Sequence, residues 1–173
     1  MSQSDDHRSP CERHLRSSEC LVSDMDFTPP DRALLTIARF FFLAFSEPAQ
    51  HDWMRAFDIG RQVFGAERGA AIAAGMLDLV RDMRLARRSR FHFSNPDCPC
   101  CANVLCESER QLMGIVAALA QGKQSEAHAN ALLLCEGNDI GALLDSGRAL
   151  VALMEYPAHF TPRTGRGLPS CAR

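Results

Sequence analysis

Apolar residues recur at helical spacing in six stretches of this chain, and glycines or prolines stand between most of them. Thr28-Pro29-Pro30-Asp31 opens the first. Thr28 can cap, a proline fits a first turn whose N–H groups have no partner, and Asp31 suits the positive helix end. This helix runs to about Phe45, amphipathic through Leu34, Leu35, Ile37 and Ala38, then apolar on every side from Phe40 to Phe45. Such a run is either buried by its own chain or leaves aromatics, Phe41 and Phe42 foremost, for a partner.

Ser46-Glu47-Pro48 repeats the start signal. Trp53, Met54, Ala56, Phe57, Val63 and Phe64 mark the second helix, and Gly65 stops it. The third spans about Ala66 to Arg88, with Gly69, Ala70, Ala71, Ala74 and Gly75 small enough for a neighbouring helix to approach closely. Arg90 to Ser94 alternates apolar and polar residues, which predicts an extended segment, and Asn95-Pro96 turns the chain out of it. Three more helices follow, over about Glu107–Gln121, Ser125–Glu136 and from a cap at Asn138 or Asp139 to just before Pro157.

The expected fold is therefore all-α: a single domain at 28–156, of about six helices in a bundle, interrupted by a cysteine-rich loop at 95–106. Residues 1–27 and 157–173 lack periodicity and read as a disordered N-terminal tail and a flexible C-terminal tail. Cys11 and Cys20 would be free thiols in the first.

Composition narrows the function classes. A net charge of −2 argues against a surface built wholly for nucleic acid. The most apolar segment, Leu34 to Phe45, is too short to span a bilayer and carries Arg39. The chain reads as soluble and cytoplasmic, and clustered cysteines in a reducing compartment are metal ligands or redox thiols before they are disulfides. Lys123 is the only lysine among 19 basic residues. Arginines crowd the end of the third helix: Arg81, Arg84, Arg87 and Arg88, with Arg90 just beyond. Positive charge there complements the helix dipole. Arg81, Arg84 and Arg88 also share one face, so Arg84 and Arg88 are candidate contacts to nucleic acid, diluted by Asp78 and Asp82.

Cys98-Pro99-Cys100-Cys101 is the candidate chemistry. Two cysteines spaced in this way on a tight turn can point both sulfurs at one ion, as in zinc knuckles. Ala102 stands where a knuckle carries glycine. A closed zinc site needs four ligands, and the expected set is Cys98, Cys101, Cys106 and Cys135, with His128, His92 and Cys100 as alternates. Cys135 also fits as a small apolar core residue beside Leu134. An iron–sulfur cluster fits less well, because the spacings are tighter than its usual arrays.

No Gly-rich phosphate loop, nucleophile elbow or His-Glu-x-x-His is present. The expectation is a small zinc-binding helical adaptor or regulator that works by binding another macromolecule, most simply a protein. One alternative is a thiol redox protein or sensor using Cys98, Cys101 and Cys106. Another is a DNA-binding transcriptional regulator.

Overall fold

Seven α-helices and one short antiparallel ladder make up the described residues, 15–154, of the computed structural model. Residues 1–14 and 155–173, which include Cys11 and the whole of the expected C-terminal tail, lie outside those residues. In chain order come β1 (Cys20–Leu21), α1 (Pro29–Ser46), α2 (Trp53–Phe64), α3 (Ala66–Ala86), α4 (Pro99–Ala102), β2 (Val104–Leu105), α5 (Glu107–Ala120), α6 (Gln124–Leu134) and α7 (Gly141–Met154). The all-α class holds, and the helix that the sequence did not announce is α4, four residues inside the cysteine loop.

Local chemistry explains most boundaries. Thr28 and Asp31 cap α1 reciprocally: Thr28 Oγ1 accepts from Asp31 N at 3.3 Å, and Asp31 Oδ2 accepts from Thr28 N at 2.9 Å. Asp139 Oδ1 accepts from Gly141 N at 2.9 Å at the start of α7. The second start signal acts differently from expectation. Pro48–Gln50 forms only a 3₁₀ turn, His51 turns left-handed at φ 54°, and α2 begins at Trp53.

α3 packs along both α2 and α7, α5 lies on α6 and α7, and α1 rests on α2 and α3. The α2–α3 crossing is backbone on backbone. A Cβ at Gly69 would meet the carbonyl of Gly60, and one at Gly60 would meet that of Gly69. Leu34, Leu35, Ile37, Phe41, Ile72, Met76, Leu79, Leu112 and Ile115 fill the centre. Each such side chain contributes about 1.5–3 kcal/mol on burial.

Three sequence expectations change. Residues 20–25 are not part of a structureless tail: Cys20 pairs with Leu105 and Leu21 with Val104, while Cys20, Val22 and Met25 are buried. The 90–94 segment carries no regular secondary structure and joins no sheet. Its alternation instead lays Phe91 and Phe93 on Phe42, at ring distances of 4.1 and 5.4 Å. Phe41 is no partner surface. It is 1% exposed and meets Phe57 edge-on in the core.

Candidate functional site

A buried ion pair organises the cysteine turn. Arg39, in the middle of α1, is 3% exposed and Glu109, in the first turn of α5, is fully buried. Arg39 Nε and Nη2 donate to the two carboxylate oxygens at 2.7 and 3.0 Å. Its Nη1 and Nη2 donate to the carbonyls of Ala102 and Val104, both at 2.6 Å. Glu109 accepts two further bonds, from Ser94 N and Cys106 N, each at 3.0 Å. Four chain segments are thus tied to one pair with its polar atoms satisfied, the condition for burying charge. At the outer edge, Arg55 holds the Asp97 carboxylate with two bonds.

The cysteines held by this frame do not assemble as the sequence led us to expect. Among the described residues no three of His, Cys, Asp or Glu come together as a group that could hold a metal ion. Cys98 precedes α4, Cys100 and Cys101 lie within it, and only Cys100 of these is fully exposed. Cys106 precedes α5 and donates through Sγ to the carbonyl of His92 at 3.0 Å. Burial first, and then the negative charge of Glu109, push its thiol up to about 12. Cys135 follows the last turn of α6, fully buried, and burial raises its thiol as well. The two histidine alternates, His92 and His128, are exposed, so neither shares the burial of these sulfurs. Cys106 and Cys135 are buried instead, Cys106 with its Sγ on the His92 carbonyl and Cys135 within the hydrophobic core, and burial disfavours the thiolate that a metal needs.

What the fold does assemble is a groove of about 540 Å³ where the end of α1 meets the end of α3 and the segment after it. Phe42, Phe45, Phe91 and Phe93 form its apolar wall; Arg84, Arg87, Arg88 and Arg90 supply its charge, with Ser46 and Ser89 beside them. The guanidinium of Arg84 lies 3.9 Å from the centre of the Phe45 ring, and that of Arg87 lies 5.7 Å from the Phe91 ring. A guanidinium placed over an aromatic ring gains about 0.5–2 kcal/mol. Arg81 stays out. Asp78 and Asp82 pair with it, so the expected three-arginine stripe breaks.

Glu136 clamps one end of the groove. Its carboxylate accepts from Ser89 Oγ, from Arg88 N at 3.0 Å and from Ser89 N at 3.3 Å, and pairs with Arg87 at 3.4 Å. The Ser89 bond, followed by that of the Arg88 amide, lowers its pKa. Glu136 also sits at φ 58°, the left-handed region that costs a side chain about 1–2 kcal/mol. It occupies the position after the Cys135 cap where glycine is usual, and Gly137 comes one residue later. From that position its carboxylate reaches the amides of residues 88 and 89.

The sequence offered Phe42 and the pair Arg84 and Arg88 on two surfaces, and Phe42 is itself only 4% exposed. The structure joins them. Sequence reasoning did not offer Phe91 and Phe93 as groove walls or Glu136 as the clamp, because only the packing of α1 on α3 and the bonds from residues 88 and 89 to Glu136 bring them together. A second cleft, lined by Arg32, Thr36, Arg39 and Pro99, carries less chemistry, since Arg39 is committed to Glu109 and two carbonyls. No protein family, characterised protein or solved structure matches the chain. No helix among the described residues is long and apolar enough to cross a membrane.

Proposed function

We propose that this chain is a binding module that engages an anionic partner through the arginine–phenylalanine groove. Its polar groups are guanidiniums and hydroxyls backed by aromatic faces, groups that hold a ligand rather than transform it. The observation that carries this reading is a charge imbalance. Four arginines line the groove and the Glu136 carboxylate pairs with one, so Arg84, Arg88 and Arg90 have no ion-pair partner among the described residues. Single-stranded nucleic acid suits such a surface better than an acidic peptide, because the aromatic wall offers faces as well as charge.

The test is affinity for an oligothymidylate across a salt series. Binding should weaken steeply with salt, and the double substitution Arg84→Gln/Arg88→Gln should lower affinity at least tenfold, reducing the log–log salt slope by about 1–1.5. Absence of binding at low salt, or binding indifferent to the double substitution, refutes the reading.

A dithiol role for the cysteine turn is the second reading. Cys98 and Cys101 stand one helical turn apart around an exposed Cys100. Cys106, with its raised pKa, drops out of that chemistry. Two thiols would give up two electrons and two protons to a disulfide oxidant such as oxidised glutathione. A mass loss of two hydrogens mapped to the peptide 98–101, reversed by dithiothreitol, would support it; an unchanged mass ends it.

A further inference from the structure

Ser89 stands inside the groove's own run of charge. The sequence reads Arg87-Arg88-Ser89-Arg90, and all four residues line the groove. Ser89 is exposed, in a stretch from Arg87 to Asn95 that forms no helix or strand. Its hydroxyl accepts from Arg87 Nη2 at 2.8 Å and donates to the Glu136 carboxylate. The amides of Arg88 and Ser89 reach the same carboxylate, at 3.0 and 3.3 Å. Glu136, itself on the surface, thus gathers three bonds from residues 88 and 89.

Kinases choose serines partly by the charge around them, and an acidic substrate cleft selects a serine among arginines. Ser46 is the other hydroxyl of the groove, yet Glu47 follows it and no arginine adjoins it in the chain. A phosphate on Ser89 Oγ would bring about two negative charges and three acceptor oxygens to that point. Arg87 Nη2 already lies within bonding distance of the oxygen that would carry it. Arg88 and Arg90 have no ion-pair partner among the described residues, so their charge is available to it. The same phosphate repels a carboxylate. Glu136 would lose the hydroxyl proton it accepts and face a dianion instead.

We propose that Ser89 is a phosphorylation site and that its phosphate closes the groove to other anions. Ser89 Oγ attacks the γ-phosphorus of ATP held by an arginine-directed serine kinase. The bond from that phosphorus to the β–γ bridging oxygen breaks, ADP leaves, and the hydroxyl proton passes to the kinase's base. The phosphate then pairs with Arg87, Arg88 and Arg90, and Glu136 turns to solvent. The inference rests on the groove being an anion-binding surface and adds how that surface is regulated.

The test has two arms on the full chain. In one, the chain is treated with MgATP and an arginine-directed serine kinase and mapped by mass spectrometry. It should gain a phosphate at Ser89 and none at Ser46. In the other, phosphoserine is encoded at position 89. That form should bind oligothymidylate at least about tenfold more weakly at low salt. Its ³¹P resonance should titrate at lower pH in the folded chain than in urea, since neighbouring arginines favour the dianion. No phosphate at Ser89 under conditions that fully modify an arginine–serine peptide overturns the inference. So does an affinity unchanged by the encoded phosphoserine, or a ³¹P midpoint equal in folded and unfolded chain. If the unmodified chain binds no oligonucleotide, the groove reading falls. A phosphate gained at Ser89 with a lowered ³¹P midpoint would then still uphold the modification site.

Discussion

At the scale of single residues, environment rather than identity decides what each side chain does. Eight cysteines in the sequence look alike, yet Cys100 is exposed while Cys106 and Cys135 are buried with raised pKa values. Alkylation with iodoacetamide at pH 8, mapped by mass spectrometry, should label Cys100 within minutes and leave Cys106 and Cys135 unlabelled in folded protein. Early labelling of Cys106 would contradict its burial. Glu136 is the acidic counterpart. Its pKa is lowered in the folded chain, so its stabilising contribution is present above the ordinary glutamate range and is lost as pH falls through the lowered value. The amide signals of Arg88 and Ser89, which donate to it, should therefore shift together below that range and stay constant from neutral pH downwards to it. Glu136→Gly relieves the left-handed strain but removes the clamp. The outcome expected is little net change in the urea midpoint, with loosened Ser89 protection in hydrogen exchange.

At the scale of elements, the α2–α3 crossing is the place where shape is least forgiving. Gly69→Ala drives a methyl into the carbonyl of Gly60, a backbone atom that cannot rotate away. A loss of about 2–3 kcal/mol in urea unfolding is expected, the upper end for overpacking. Gly147→Ala meets Leu119 Cδ1, the far end of a flexible side chain, and should cost less than half as much. Equal costs would show that α2 slides away freely. The same distinction governs what the pattern of residues revealed. Six of the helices were legible because their apolar spacing and caps are written locally, as Thr28 and Asp31 show. In the 90–94 segment only the alternation of apolar and polar residues was legible. Which surface its phenylalanines would meet, α1 rather than a neighbouring strand, has no local signal.

At the scale of the whole molecule, the Arg39–Glu109 pair joins α1, α5, the segment at Ser94 and the loop between α4 and β2. Removing one partner leaves the other charge buried and alone, so Arg39→Ala or Glu109→Ala should each lose about 3–5 kcal/mol in chemical denaturation. The double substitution Arg39→Met/Glu109→Leu should cost less than either single change, since neither charge is then stranded. Additive losses in that cycle would mean that the pair is not the shared anchor described here. Because Ser94 follows Phe93 directly, each single change should also weaken ligand binding in the groove.

The order of residues alone determined the helical class, most helix limits and the presence of a cysteine turn, because helix periodicity and capping act over a few neighbouring positions. It also singled out Phe42, Arg84 and Arg88, whose composition is unusual wherever they end up. Tertiary structure alone decided that Phe41 is core, that Cys106 and Cys135 are buried, and that Arg84 of α3 meets Phe45 of α1. Those outcomes depend on contacts between positions some 40 to 70 residues apart, such as Phe45 with Arg84 and Arg39 with Glu109. No short window of sequence encodes which distant face a side chain will find.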